Sequence, residues 1–207
     1  MTASIGAIIL AAGASTRMGK AKQLLLLNEQ PMLEHVICRT IAVPFSEIIV
    51  VVGFAAQTIQ QAISIKDHRL RWVINNDYSI GQSSSLKKGI TNFTKKHDGL
   101  MIFLGDLPFI LDETIQSVFQ VGMKMLQECG ESYIVQPSYY GQIGHPVFFG
   151  HLDQSLFMNI KGDTGAKIIK RQISCHKQLI VEDKGIIFDI DTPEEYEEAK
   201  KYWHEND

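Results

Sequence analysis

Short, continuously apolar runs alternate with segments that carry apolar residues at helical spacing. The clearest runs are GAIIL (residues 6–10), EIIVVVG (47–53) and GLMIFLGD (99–106), and RLRWVIN (69–75) alternates between apolar and polar residues. Continuous apolar runs of this length are typical of strands buried on both faces of a parallel sheet. The pattern therefore predicts an α/β protein with a mainly parallel central sheet flanked by helices.

The second half of the chain is more mixed. Two β-like segments surround a glycine-rich turn in residues 132–150, and residues 162–173 suggest a loop that enters a helix. KQLIVE (177–182) and GIIFDI (185–190) are predicted as strands, and a last helix is predicted with Thr192 as its N-cap. With no internal repeat or evident linker, residues 1–207 are expected to form a single domain.

Composition and charge exclude several classes of protein. The net charge of −3 argues against a general nucleic-acid binder, although a small anion pocket needs only two or three cations. The apolar runs are far shorter than the ~20 residues that span a bilayer, and no basic signal-peptide region opens the chain. The three cysteines lack any CxxC spacing. We therefore expect a reduced, cytoplasmic protein without a membrane segment or a cysteine-based zinc site.

Polar side chains follow three of the predicted strands, at the point where each strand ends. A basic loop follows the first strand, Asn75 ends the third and Asp106 ends the fourth. Ligands of open parallel sheets bind at the carboxyl ends of the strands. The three segments are therefore expected to meet at one site.

The loop AAGASTRMGKAK (residues 11–22) is typical of an anion-binding turn, but it is not a P-loop. Five residues separate Gly13 from Gly19, whereas the P-loop requires four, and Ala rather than Ser or Thr follows Lys20. The loop could bind phosphate through backbone amides of residues 12–15, with Arg17 and Lys22 pointing inward. The alternative is an ordinary strand-to-helix turn with a solvated basic face.

LAAGASTRMGKAKQLL resembles the signature of the MobA-like nucleotidyltransferases, which build molybdenum cofactors and sugar nucleotides. NNDYSIGQSSSLKKG, LGDLPF, GHPVFF, GDTGAK and DIDTPEEY resemble further blocks of the molybdenum cofactor cytidylyltransferase branch, in the same order. The resemblance implies a Rossmann-like nucleotidyltransferase fold. Asn76, Tyr78 and Lys167 depart from the branch's usual residues, which bears on the acceptor more than on the type of reaction.

The resemblance also implies a reaction and a set of residues. A phosphate of the acceptor attacks the α-phosphorus of a nucleoside triphosphate, and pyrophosphate leaves. Catalysis is then positioning and charge stabilisation, with Arg17 and Lys22 as the catalytic cations and Asp106 as a ligand of Mg²⁺. The expected nucleotide contacts are Leu10, Ala11, Ala12, Gly13, Lys22, Asn75, Gly81, Ser83 and Ser84. A structural alternative for the serines is a helix N-cap cluster, and for Asp106 a helix cap.

Three further residues are candidates through the resemblance. His145 and Asp163 are expected to contact the acceptor. Asp191, in the sequence DID, is expected either to bind a metal or to end a strand and cap the last helix, and Asp189 is a weaker candidate for the metal.

The residue at position 12 bears on the choice of nucleotide. The guanylyl branch resembles LAGG, whereas this chain has LAAG, and a β-carbon at Ala12 would narrow the base pocket toward a pyrimidine. CTP and molybdopterin are therefore the expected substrates, and a molybdoenzyme of the xanthine dehydrogenase type is a possible partner. The alternatives are guanylyl transfer, transfer to a sugar or alcohol phosphate, a glycosyltransferase that uses DID for its metal, and a non-catalytic cofactor-binding maturation partner.

Overall fold

The structure is a computed structural model that describes residues 3–15, 18–151, 153, 155–158 and 167–206. The strands are β1 (Ile5–Ala11), β2 (Leu26–Leu27), β3 (Gln30–Pro31), β4 (Glu47–Val52), β5 (Leu70–Ile74), β6 (Gly99–Leu104), β7 (Tyr133–Tyr139), β8 (Gln142–Ile143), β9 (Val147–Gly150) and β10 (Cys175–Ile180). The helices are α1 (Met32–Ile41), α2 (Ala56–Ala62), α3 (Gln82–Thr91), α4 (Asp112–Glu128), α5 (Ser155–Met158), α6 (Lys167–Gln172) and α7 (Pro193–Asn206).

One sheet organises the described part of the chain. Its order is β10-β7-β9-β6-β1-β4-β5, and β8 pairs with β7. The pairs β1–β4, β1–β6, β4–β5 and β7–β10 are parallel, whereas β9 runs antiparallel to β6 and β7. The predicted single-domain α/β fold with a mainly parallel sheet and flanking helices is therefore confirmed.

The continuous apolar runs arise because both faces of the sheet are covered. All six residues of β4 are buried. Val50 lies in one apolar cluster, with Ile9 of β1, while Val51 lies in a second cluster with Ile8. The polar exception in β4 is its first residue, Glu47, whose buried carboxylate pairs with Arg71. Successive side chains of a strand point to opposite faces, so the other positions of a strand covered on both sides are apolar. Full burial of each such side chain contributes about 1.5–3 kcal/mol relative to exposure.

Two predicted elements of the second half differ from the structure. The segment GIIFDI is not a strand, because Lys184–Ile186 forms a 3-10 turn and residues 187–191 are irregular. This segment is apolar because it packs a third cluster, in which Phe188 stacks on Phe109 at a ring distance of 5.4 Å. The strand predicted for residues 177–182 begins earlier, at Cys175, and ends at Ile180.

The third cluster fixes α7 against the chain that leaves β6. Tyr202 and Trp203 of α7 lie 5.0 and 5.8 Å from the ring of Phe109. Phe188, five residues before α7, stacks on the same ring, and Phe109 follows Asp106 by three residues. This packing therefore holds the segment that leads into α7 beside the carboxyl end of β6. In the described residues, no helix combines the length and apolar character needed to cross a bilayer.

Candidate active site

The loops that follow β1 and β6 are in direct contact. The two strands pair in parallel with Leu10 opposite Leu104, and the amide of Gly105 donates a hydrogen bond to the carbonyl of Leu10 at 2.9 Å. The neighbouring β4 ends beside them, where the amide of Phe54 reaches the carbonyl of Ala12. The carboxyl edge of the sheet therefore brings the basic loop and Asp106 together, as the sequence predicted.

Lys22 lies at the centre of the charged residues at this edge. Its Nζ donates hydrogen bonds to Oδ2 of Asp106 at 2.6 Å and to Oδ1 of Asp191 at 2.5 Å. Burial opposes the charged form of this lysine, which is only 9% exposed, but the charges and hydrogen bonds of the two carboxylates outweigh burial and raise its pKa above 10.5. Lys22 is therefore a fixed cation at neutral pH.

The start of α7 places Asp191 against Lys22. The hydroxyl of Thr192 accepts a hydrogen bond from the amide of Glu195, while the Glu195 carboxylate accepts from the amides of Thr192 and Asp191 at 2.8 Å each. This reciprocal arrangement is a capping box, which confirms Thr192 as the N-cap. The amide of Ile190 also donates to the carbonyl of Asp106 at 3.2 Å, so the two aspartates are joined through the backbone.

Lys22 contacts only one of the two carboxylate oxygens of Asp106, Oδ2. Its Oδ1 is buried and has no hydrogen-bond partner among the residues that the structure describes. Asp189 is a further carboxylate at this edge of the sheet. Its partial burial and the nearby carboxylates of Asp106, Asp191 and Glu195 raise its pKa. Within the described ranges, no three His, Cys, Asp or Glu side chains form a complete metal cage. Two carboxylates fit Mg²⁺, which keeps several waters and takes the rest of its ligands from substrate phosphates.

A cavity of about 590 Å³ opens beside this charged group, which is the size of a small-molecule site. Five of the predicted nucleotide, catalytic or metal residues line it: Leu10, Gly13, Lys22, Gly81 and Asp106. Ala14 also lines the cavity and belongs to residues 12–15, whose amides were expected to bind phosphate, and Ser85 belongs to the serine cluster that was considered as a nucleotide contact. The other lining residues were not predicted as site residues: Gln23, Tyr78, Ser79, Gln82, Leu104 and Gly105. Three of these, Gln23, Gln82 and Gly105, are direct neighbours of predicted residues, so adjacency in the sequence was the signal that could have found them.

Ala11 and Ala12 do not line this cavity. Ala12 is 4% exposed, and its side chain belongs to the apolar cluster that contains Val51 and Leu86. The expectation that its β-carbon narrows the base pocket is therefore wrong for this cavity, because the strand-end geometry turns that carbon into the core. The choice of CTP then depends on the resemblance alone.

Asn75 does not line the cavity but contacts Ser85, which does. It is 2% exposed and donates hydrogen bonds from Nδ2 to the hydroxyls of Ser84 and Ser85 at 2.9 and 3.0 Å. Its Oδ1 accepts from the amide of Asp77 at 3.1 Å. Asn75 thereby fixes the turn before α3, as does Ser84, whose hydroxyl donates to the carbonyl of Gly81 at 2.8 Å. Neither these two residues nor the buried Ser83 lines the cavity.

His145 lies outside the cavity wall, where β9 begins beside β6. Its Nδ1 is 3.4 Å from the carbonyl of Ile102, and its backbone amide donates to the carbonyl of Ile186 at 3.0 Å. Burial and the nearby charge of Lys170 lower the pKa of His145 to about 4. The imidazole is therefore neutral at physiological pH. Arg17 and Asp163, predicted as a catalytic cation and an acceptor contact, lie outside the described residues.

Comparisons with known proteins identify relatives of this chain. The chain is 35% identical over 133 residues to the bifunctional protein GlmU of a Psychrobacter species, a match that covers 61% of this chain and 28% of that protein. It is 28% identical over 215 residues to a probable molybdenum cofactor guanylyltransferase of Natranaerobius thermophilus, with 98% of each chain covered. The chain spans less than a third of the length of its GlmU relatives.

Solved structures share the fold along the whole chain. A homologue of Mycobacterium tuberculosis Rv0371c from Mycobacterium sp. strain JC1 is 27% identical, with a TM-score of 0.83 and 98% of each chain covered. Rv0371c itself, solved in complex with manganese, is 21% identical with a TM-score of 0.77, and covers 97% of this chain and 100% of its own. The family model of the MobA-like NTP transferase domain matches residues 7–178. The chain belongs to the MobA-like NTP transferase family.

Proposed function

We propose that this protein is a Mg²⁺-dependent nucleotidyltransferase that transfers CMP from CTP to molybdopterin and releases pyrophosphate. The observation that carries the proposal is the position of Lys22 between Asp106 and Asp191, on the wall of a cavity of about 590 Å³. A buried cation beside two carboxylates is suited to bring a polyanionic nucleotide and a metal ion together.

Lys22 would act on the phosphates. Two anionic substrates must approach each other, so positive charge has to be placed before they bind. The carboxylates hold the ammonium of Lys22 charged, and it lies at the same edge of the sheet as the loop of residues 11–15. It would stabilise the charge that develops on the leaving pyrophosphate. Arg17 is proposed as the second cation of the loop.

Asp106 and Asp191 would hold the metal. The buried Oδ1 of Asp106 supplies a hard oxygen ligand, and the Rv0371c structure in complex with manganese is that of a protein with the same fold. When bound, the ion would neutralise phosphate charge and orient the triphosphate. The carboxylates would release Lys22 toward the nucleotide as the metal takes their charge.

The acceptor side of the reaction depends on the resemblance. His145 and Asp163 are proposed as contacts of a molybdopterin-type substrate, and service to a molybdoenzyme of the xanthine dehydrogenase type is part of the same proposal. A neutral His145 could donate or accept a hydrogen bond without adding charge to the site. Asn75, Ser83 and Ser84 are proposed to act through the shape of the turn before α3.

GTP is the second candidate nucleotide. One observation favours it: the relative named as a guanylyltransferase matches along 98% of each chain. The two nucleotides require the same charged residues and differ only in the contacts of the base.

The first experiment is thermal unfolding with Mg²⁺ and each of CTP, GTP, ATP and UTP. A ligand at about 100 times its Kd adds roughly 2.7 kcal/mol to the free energy of unfolding. We expect stabilisation by CTP, followed by pyrophosphate release when molybdopterin is added. Stabilisation by GTP alone would favour the guanylyl candidate. Binding of nucleotide without pyrophosphate release in the presence of acceptor would contradict catalysis and favour a maturation partner.

A further inference from the structure

Gln23 is a buried amide beneath the loop that follows β1. It is 2% exposed and lies in the 3-10 turn Lys22–Leu24. Its Nε2 donates hydrogen bonds to the carbonyls of Ala11 at 2.8 Å and Gly13 at 3.2 Å. Both hydrogens of the amide are therefore committed to the loop.

This pairing fixes the direction of the amide. A rotation by 180° would bring Oε1 against two carbonyl oxygens and would break both hydrogen bonds. The carbonyl of Ala12, between the two acceptors, is occupied by the amide of Phe54. Three consecutive carbonyls at this wall are thus already paired, and Oε1 of Gln23 must point away from them.

Among the described residues, no group donates a hydrogen bond to Oε1 of Gln23. This oxygen is buried. Gln23 is also one of the residues that line the cavity beside Lys22. Buried polar groups in proteins are almost always hydrogen-bonded, so an oriented, unpaired acceptor in a residue of the cavity wall indicates a contact that a ligand completes.

We propose that Oε1 of Gln23 accepts a hydrogen bond from an amino or hydroxyl group of the bound nucleoside, and that it selects nucleotides with a donor at that position. This inference rests on the proposed function. Two consecutive residues then bind different parts of the nucleotide. Lys22 binds the charged phosphates, and Gln23 binds a neutral hydrogen-bond donor. CTP has an amino group where UTP has a carbonyl oxygen, so a fixed acceptor facing that position would favour CTP over UTP.

The donor belongs either to the base or to the ribose, and nucleotide analogues distinguish the two. The test measures the Kd of the full chain with Mg²⁺ for CTP, for the pyrimidin-2-one riboside triphosphate that lacks the amino group, and for 2′-deoxy-CTP and 3′-deoxy-CTP. If GTP is the nucleotide that binds, ITP replaces the pyrimidinone because it lacks the guanine amino group. Each Kd is measured for the wild type, for Gln23→Met and for the control Gln30→Met.

We expect one analogue to bind the wild type on the order of tenfold more weakly than the parent nucleotide, and the same analogue to lose little further in Gln23→Met. This non-additivity identifies the contact, because a general loosening of the loop would weaken parent and analogue alike. Gln30→Met should keep the wild-type preference. Coupling with the base analogue places the donor on the base, and coupling with a deoxy analogue places it on the ribose.

Two results would overturn the inference alone. The wild type could bind the parent and every analogue equally, a measurement that does not depend on the variant folding. Alternatively, the analogue penalties could be identical in the wild type and Gln23→Met. If the wild type bound none of the triphosphates, the proposed function would fail as well, so the two failures are distinguishable.

Discussion

Nζ of Lys22 lies 2.6 Å from Oδ2 of Asp106, across 84 positions of the sequence. The same Nζ reaches Asp191 at 2.5 Å, so one ammonium compensates two carboxylates. The parallel pairing of β1 with β6 and the packing of α7 on Phe109 bring the three residues together. When substrate binds, a phosphate would replace the carboxylates as the partner of Lys22, and a metal ion would replace Lys22 as the partner of the carboxylates.

Asp106→Asn keeps the shape of the side chain and removes its charge. We expect pyrophosphate release to fall by roughly 100-fold or more, because the metal and Lys22 both lose a carboxylate partner. The control is Asp112→Asn, since the Asp112 side chain is 65% exposed and pairs with Arg39 at 2.9 Å. A near-normal rate for both Asp106→Asn and Asp106→Ala would contradict the metal assignment.

Lys22→Met should affect both stability and binding. Without the ammonium, Asp106 and Asp191 repel each other, so we expect the free energy of unfolding at pH 7 to fall by about 1–3 kcal/mol. Urea unfolding at pH 7 measures this loss. The exposed Lys20 provides the control Lys20→Met, and equal effects of the two substitutions would argue against a special role for Lys22.

Asn75→Ala should loosen the turn before α3. The substitution removes the amide that donates to the hydroxyls of Ser84 and Ser85 and the oxygen that accepts from the amide of Asp77. We expect a loss of about 2 kcal/mol in the free energy of unfolding and weaker nucleotide binding. Asn76→Ala, at the exposed neighbouring position, is the matched control in urea unfolding. If Asn75→Ala is destabilised but binds nucleotide with unchanged affinity, the hydrogen bonds of Asn75 stabilise the turn without contributing to nucleotide binding.

Gly53→Ala tests whether the end of β4 shapes the cavity. A β-carbon at this position would lie 2.7 Å from Cβ of Tyr78 and 2.8 Å from the carbonyl oxygen of Ala12. Tyr78 lines the cavity, so the displacement should weaken nucleotide binding as well as cost about 1–3 kcal/mol of stability. At Gly130 a β-carbon meets nothing within 4 Å, which makes Gly130→Ala the control for calorimetric titration with nucleotide. Wild-type affinity in Gly53→Ala would place the ligand elsewhere.

His145 should make stability depend on pH. Burial and Lys170 lower its pKa from 6.5 to about 4 in the folded state, so the unfolded chain binds the proton more readily. The neutral His145 therefore contributes about 3 kcal/mol to the free energy of unfolding above pH 6.5, and this contribution is lost as pH falls through 4. Unfolding free energies between pH 7 and pH 4.5 should therefore fall more steeply for the wild type than for His145→Gln. The exposed His68 gives the control His68→Gln, and parallel pH profiles for all three proteins would contradict this role of His145.

The sequence indicated most of the parallel strands because each is apolar for a local reason. β4 is buried on both faces, and its sequence EIIVVV indicates this burial without any knowledge of the strands that pair with it. The same reasoning failed for GIIFDI, since an irregular segment that packs a small cluster is as apolar as a buried strand. The pattern of apolar residues indicates which residues are buried, but burial alone does not specify whether the backbone forms the hydrogen bonds of a strand.

The sequence by itself determined the order of the main parallel strands and helices, the positions of Lys22 in the loop after β1 and of Asp106 at the end of β6, and the cap at Thr192. These depend on neighbours in the chain: hydrophobic period, turn residues and capping residues. Only the tertiary structure decided that Asp191 meets Lys22 across 169 positions, that Ala12 turns into the core and that Asn75 pairs with serines. It also decided that Oε1 of Gln23 has no hydrogen-bond partner among the residues that the structure describes. Side-chain direction and the pairing of charges depend on which elements pack together, and that packing is a property of the whole sheet and not of any local segment.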